Sequence, residues 1–193
     1  MEPLLIREDA YAGKPNPRAW MSPKRAMDYV DRLREAFTNL DPDGAEDYAN
    51  NAEAYNKKLQ ALDGELREVL ATIPPQHRLL VSCEGAFTYL ATDYGLEEAF
   101  LWPVNAESEI TPKRMARLIN TVRERAVPAV FCESTVSDKA QREVAAAANS
   151  RFGGTFFVDS LSKPDGPAPT LLELQRHNVK LILDGLTDRG GDA

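Results

Sequence analysis

The sequence predicts an α/β fold: a parallel four-stranded sheet with flanking helices, attached to one long spine helix. Three observations carry this. From His77 onward four short apolar runs, Leu79-Leu80-Val81, Ala99-Phe100-Leu101-Trp102, Ala129-Val130-Phe131 and Thr155-Phe156-Phe157-Val158, alternate with helical patterns, and strands alternating with helices at this spacing form a parallel sheet covered by helices. The runs are continuously apolar rather than alternating, as strands buried on both faces are. Ahead of them Tyr48, Ala52, Tyr55, Leu59, Leu62, Leu66, Val69 and Ile73 recur at alternating steps of four and three, one unbroken apolar stripe along a single helix.

Residues 1–21 are rich in Pro, Gly and polar side chains and read as irregular. Ser22-Pro23 has the form of an N-cap followed by proline at the first helical position, and Ala26, Met27, Val30, Leu33, Phe37 and Leu40 follow at helical spacing. Asp41-Pro42 repeats the start signal and Pro74-Pro75 closes the stripe, so the helix from Ala45 to Ile73 is about 43 Å long at ~1.5 Å per residue. Such a stripe serves as half of a coiled coil or as a spine across a body wider than one small domain. Ala and Tyr stand where tight dimers prefer Leu and Ile, which favours the spine. Next comes a short helix around Phe87 to Tyr94. Another opens at Thr111-Pro112 and carries Met115, Leu118, Ile119 and Val122, and a third runs from Asp138 through Val144 to Ala148. The last helix opens at Thr170, with Glu173 completing a capping box. Gly153-Gly154 reads as a turn before the fourth strand, and the polar, Gly-rich residues 187–193 read as a disordered tail. The chain thus divides into residues 1–40, a helix within 41–75, an α/β body over 76–186 and the tail.

With 193 residues, 43% hydrophobic and 27% charged, the composition is that of a globular protein and excludes a disordered chain, a collagen or a disulfide scaffold. A net charge of −7 and a pI near 5.0 make nucleic acid and anionic lipid poor partners and a cationic ligand a better one. No apolar run approaches the ~18 residues of a membrane helix. The start, Met1 to Arg7, lacks a secretory pattern. A free-standing chain of this kind is expected in the cytoplasm; the alternative is a piece of a longer protein.

In open α/β sheets ligands bind beyond the carboxyl ends of the strands. The residues there are Ser82-Cys83-Glu84-Gly85, Pro103-Val104-Asn105, Cys132-Glu133-Ser134 and Asp159-Ser160. Glu84, Glu133 and Asp159 therefore converge on one rim. Converging carboxylates must be protonated, paired with a base or bridged by a cation; alternatively, one or two of them cap helix N-termini. Nucleophilic catalysis has little support. Cys83 or Cys132 would need a histidine, and the chain offers only His77, read as an exposed turn residue, and His177, read as a surface or packing residue of the last helix. The cysteines read as buried free thiols, with a disulfide between neighbouring strand ends as the alternative. There is no phosphate loop, no dinucleotide fingerprint and no histidine pair at zinc spacing. Nothing in the residues demands an enzyme.

Five blocks, in order, resemble the metal-binding receptors of bacterial ABC importers, the manganese, iron and zinc solute-binding proteins, and the manganese/chelated-iron subgroup above all. They are Asn16-Pro17-Arg18-Ala19-Trp20-Met21-Ser22-Pro23, Val81-Ser82-Cys83-Glu84-Gly85-Ala86-Phe87, Trp102-Pro103-Val104-Asn105, Phe131-Cys132-Glu133-Ser134-Thr135-Val136-Ser137-Asp138, and Val158-Asp159-Ser160-Leu161 with Gly166-Pro167-Ala168-Pro169-Thr170. The resemblance implies two lobes joined by a long helix, with metal between them. Residues 76–186 would be the second lobe, 41–75 the linking helix and 1–40 a remnant of the first lobe. It implies a periplasmic receptor, not an enzyme, that captures Mn²⁺ or Fe²⁺, with Zn²⁺ a further candidate, and passes it to the membrane subunit of an importer. Glu84 and Asp159 match two metal ligands, and a glutamate at the former suits harder cations. Glu133 and Ser160 take supporting places. A third ligand, a histidine in the family, falls on Arg18, which has no lone pair to give. Metal capture is then expected to be weakened or lost, with the Arg18 guanidinium lying against Glu84 and Asp159 or pointing to solvent. A rival reading is an interaction protein without metal, self-associating or docking through the Tyr48–Ile73 stripe.

Overall fold

The computed structural model describes residues 2–7, 11–104 and 110–187. After an irregular start holding one antiparallel bridge, Leu5 to Pro15, the chain forms α1 (Pro23–Leu40), α2 (Ala45–Ala71), β1 (Leu79–Glu84), α3 (Thr88–Tyr94), β2 (Glu97–Trp102), α4 (Pro112–Glu124), β3 (Ala129–Glu133), α5 (Lys139–Ala148), β4 (Arg151–Phe156) and α6 (Leu171–Leu186). This is the alternation the apolar runs predict. Thr170 caps α6: its hydroxyl oxygen accepts from the Glu173 amide, while the Glu173 carboxylate accepts from the Thr170 hydroxyl rather than from the backbone N–H that a full capping box uses. Ser22 does not cap α1 with its side chain; its hydroxyl donates to Asp93 at 2.8 Å instead.

The sheet differs from the expectation of one four-stranded ladder. β1 pairs β2 and β3 pairs β4, both parallel, and hydrogen bonding leaves these as two separate two-stranded ladders. β1 and β3 nevertheless lie side by side, so the strands stand in the row β2-β1-β3-β4. Side chains take backbone groups at this seam: the Gln141 amide donates to the Val81 carbonyl and the Glu84 N–H goes to the Glu133 carboxyl at 3.2 Å. Cys83 and Cys132, expected as free thiols, are joined across the seam as a disulfide with Cα atoms 4.8 Å apart. That is the spacing of adjacent strands.

The fourth strand starts at Arg151 and includes Gly153-Gly154, which therefore do not form a turn. The register slips between Val130 and Phe131, where Gly153 is passed over. The Phe131 ring occupies the space a side chain at Gly153 or at Gly185 of α6 would need, so two glycines let the ring stack on Phe156, centroids 4.7 Å apart. His77 is half-buried rather than exposed, its Nδ1 3.0 Å from the Leu186 carbonyl.

The α2 stripe is spent inside the chain. Ala52, Leu59, Leu62, Leu66, Leu70 and Ile73 are buried, with α2 packed against α1, α3 and α6. Tyr48 meets Phe37 at 5.5 Å between ring centroids. The stripe is therefore neither a coiled-coil seam nor an open docking face, which removes the surface on which the interaction reading relied. Of the expected tail, residues 188–193 lie outside the described residues. No described helix is long and apolar enough to cross a membrane.

Candidate cation site

The row β2-β1-β3-β4 reverses direction between β1 and β3, and a crevice forms beyond the strand ends at such a switch point. Glu84 is the last residue of β1, and Asp159 lies in the loop just beyond β4. Both reach one atom. Arg18 Nη2 donates to Glu84 Oε1 at 2.9 Å and pairs with Asp159 Oδ2 at 2.7 Å. The side chains of Arg18 and Glu84 are 7% and 5% exposed, and that of Asp159 is 33% exposed. Burial pushes the Asp159 carboxyl above its ordinary range; Arg18 opposes this, and Glu84 adds to it.

Arg18 is placed by its neighbours. Its amide donates to Asn16 Oδ1 at 2.9 Å, and the Asn16 side chain in turn donates to the Gly85 carbonyl and the Thr88 hydroxyl, each at 3.1 Å. Two residues on, Trp20 turns its ring toward Arg18, 5.8 Å from guanidinium carbon to centroid. The Trp20 indole N–H donates to the Val158 carbonyl at 3.3 Å, and Gln175 donates to the Trp20 carbonyl. Asn16, Trp20 and Gln175 are positioning residues to which sequence reasoning gave no role. Asn16 and Trp20 belong to the block around Arg18, but nothing local signals that their partners lie just after β1, at the start of α3, beyond β4 and on α6.

Glu133, at the end of β3, does not reach the same atom. Its carboxyl receives the Glu84 amide, and burial pushes its pKa up to about 8. Ser160 Oγ lies 3.0 Å from Ser134 Oγ, tying together the loops that follow β3 and β4. Among the described residues, Cys83, Cys132 and Glu133 also place potential metal-ligating atoms within 4.8 Å of one another, but sulfurs joined in a disulfide present no thiolate. The same bond leaves neither cysteine as a nucleophile. His177 packs its ring edge-on to Phe157 at 5.4 Å. Asn105 lies outside the described residues.

A family model described as ZnuA, zinc-uptake complex component A periplasmic, matches residues 3–185. The chain is 47% identical over 183 residues to the iron-binding protein YfeA of Yersinia pestis, a match covering 95% of this chain and 59% of that relative. It is 34% identical over 172 residues to the manganese-binding lipoprotein MntA of Halalkalibacterium halodurans, covering 89% of this chain and 57% of the relative. Among solved structures, the Mn-bound periplasmic metal binding protein from Candidatus Liberibacter asiaticus superposes with a TM-score of 0.87 at 40% identity, over 96% of this chain and 68% of that one. The periplasmic zinc binding protein TroA from Treponema pallidum gives 0.87 at 26% identity, over 96% and 67%. The chain thus spans a little under three fifths of the length of these two curated relatives. The family model and the two solved structures are described as periplasmic and MntA as a lipoprotein, which gives the cytoplasmic expectation no support.

Proposed function

The chain belongs to the ZnuA family of periplasmic metal-binding components of ABC importers, and from that premise we propose that it carries the second lobe and linking helix of a divalent-metal receptor whose metal position is held by Arg18. Glu84 and Asp159 are the two carboxylates that would face Mn²⁺ or Fe²⁺, with Zn²⁺ a further candidate. Glu133 supports Glu84 through its amide, and Ser160 steadies the loop that carries Asp159. Residues 1–40 correspond to the end of the first lobe. The work of such a protein is capture in the periplasm and delivery to an importer's membrane subunit, not turnover.

One observation carries the proposal: Arg18 Nη2 lies within 2.9 Å of one carboxylate and 2.7 Å of the other. A permanently charged group with five donors and no lone pair stands where a cation would sit. Any metal must displace it and leave it without these partners, so capture is weakened or lost. Calorimetric titration with Mn²⁺ tests this. The unaltered chain is expected to bind no tighter than the high-micromolar range, and Arg18→His to bind at least about tenfold tighter, equivalent to about 1.4 kcal/mol. Sub-micromolar binding by the unaltered chain would refute it.

A further inference from the structure

Arg18 does more than obstruct. Its Nη2 links Glu84, at the end of one ladder, to Asp159, in the loop beyond the other, and its guanidinium lies over the Trp20 ring. Two carboxylates and an aromatic face are what a planar, weakly hydrated cation calls for. A hard divalent ion gains nothing from the indole and needs more oxygen ligands. Two of the three residues are also anchored by contacts that do not involve the Arg18 side chain: Trp20 through its indole N–H to Val158 and its carbonyl to Gln175, and Glu84 through its backbone amide to Glu133.

Building on the reading that Arg18 occupies the cation position, we propose that the rim of Glu84, Asp159 and Trp20 is a guanidinium-selective site filled in cis by Arg18, which thereby clasps residues 11–22 to the strand ends. The ligand class has passed from metal ion to guanidinium group. Removing the Arg18 side chain then leaves a site that a free guanidinium ion can enter.

The experiment is thermal unfolding of Arg18→Ala with up to about 20 mM guanidinium chloride, a concentration at which denaturant action is slight, against sodium, ammonium and Mn²⁺ chlorides at matched ionic strength. The variant is expected to melt below the unaltered chain. Guanidinium should raise its Tm saturably by about 3 °C, with sodium and ammonium without effect and the unaltered chain unmoved. Rescue by ammonium as good as by guanidinium, or better rescue by Mn²⁺, overturns the proposal. Should Arg18→Ala not fold, Arg18→Lys decides: a compact ammonium cannot reproduce the planar group, so a Tm below that of the unaltered chain is expected, and equality overturns guanidinium selectivity. Failure here is distinct from failure of the blocked metal site. An Arg18→Ala variant deaf to guanidinium leaves the calorimetric prediction standing, whereas sub-micromolar Mn²⁺ binding by the unaltered chain removes that reading itself.

Discussion

Glu98 is a carboxyl group whose surroundings argue against its charge. It accepts the Phe87 amide at 2.8 Å and the Thr88 hydroxyl at 2.7 Å, yet burial outweighs both and pushes its pKa from 4.5 to about 7. Between those values the folded chain keeps a proton that the unfolded chain has released. The contribution of Glu98 to stability therefore falls as pH rises through that window and levels off above it, and Glu133, raised further, adds a loss of the same sign that extends to higher pH. Glu98→Gln is expected to reduce the slope between pH 5 and 7, removing at most about 3 kcal/mol of pH dependence and leaving the part that belongs to Glu133; urea midpoints across the range check it. A slope unchanged in the variant would assign the effect to another group. The same scale shows what the sequence made legible at the site. Glu84 and Asp159 could be read from their places after apolar runs, because a strand end is a local feature. The contact of Arg18 with them was one of two alternatives the sequence left open, lying against both carboxylates or pointing to solvent, because its partners lie 66 and 141 residues further along the chain and no local rule chooses between the two.

Elements were legible where one physical rule acts alone. The α2 stripe and the N-cap at Thr170 are such cases. Gly64 sits inside α2 with open space where a side chain would go, so Gly64→Ala is expected to stabilise by about 0.5–1 kcal/mol; a loss would mean that α2 bends there in solution. The seam between β1 and β3 was illegible because two rules compete on it. Apolar runs predict a continuous ladder, but side chains take backbone groups and a covalent bridge spans the gap. Gly153-Gly154 reads as a turn because glycine usually marks one, whereas here Gly153 admits the Phe131 ring and Gly154, at φ +134°, lies against Leu181 of α6. The Cys83–Cys132 bridge closes a separation of 49 residues, for which the chain-entropy account gives about 4 kcal/mol. Replacing both cysteines by alanine is expected to cost about 2–4 kcal/mol in chemical denaturation. A cost near zero would show that the seam holds through Glu133 and packing alone.

At the scale of the molecule, cargo and stability are linked. A metal that binds only the folded form adds RT ln(1 + [L]/Kd), so a receptor with an open site melts higher with metal and lower after chelation. Here the cation is part of the chain, at a fixed 2.7–2.9 Å from both carboxylates, and its contribution does not depend on any free concentration. The Tm of the unaltered chain is therefore expected to move by no more than about 2–3 °C on adding 1 mM Mn²⁺ or excess EDTA. Arg18→His reverses the logic. If its Kd is near 10 µM, then 1 mM Mn²⁺ stands at about 100 Kd and adds about 2.7 kcal/mol, or about 5–10 °C for a chain of this size. The unaltered chain is also expected to start higher than metal-free Arg18→His, because that variant leaves two close carboxylates without the guanidinium. A metal-dependent rise in the unaltered chain as large as in the variant would mean that Arg18 leaves the rim freely, and that the two carboxylates still answer to metal.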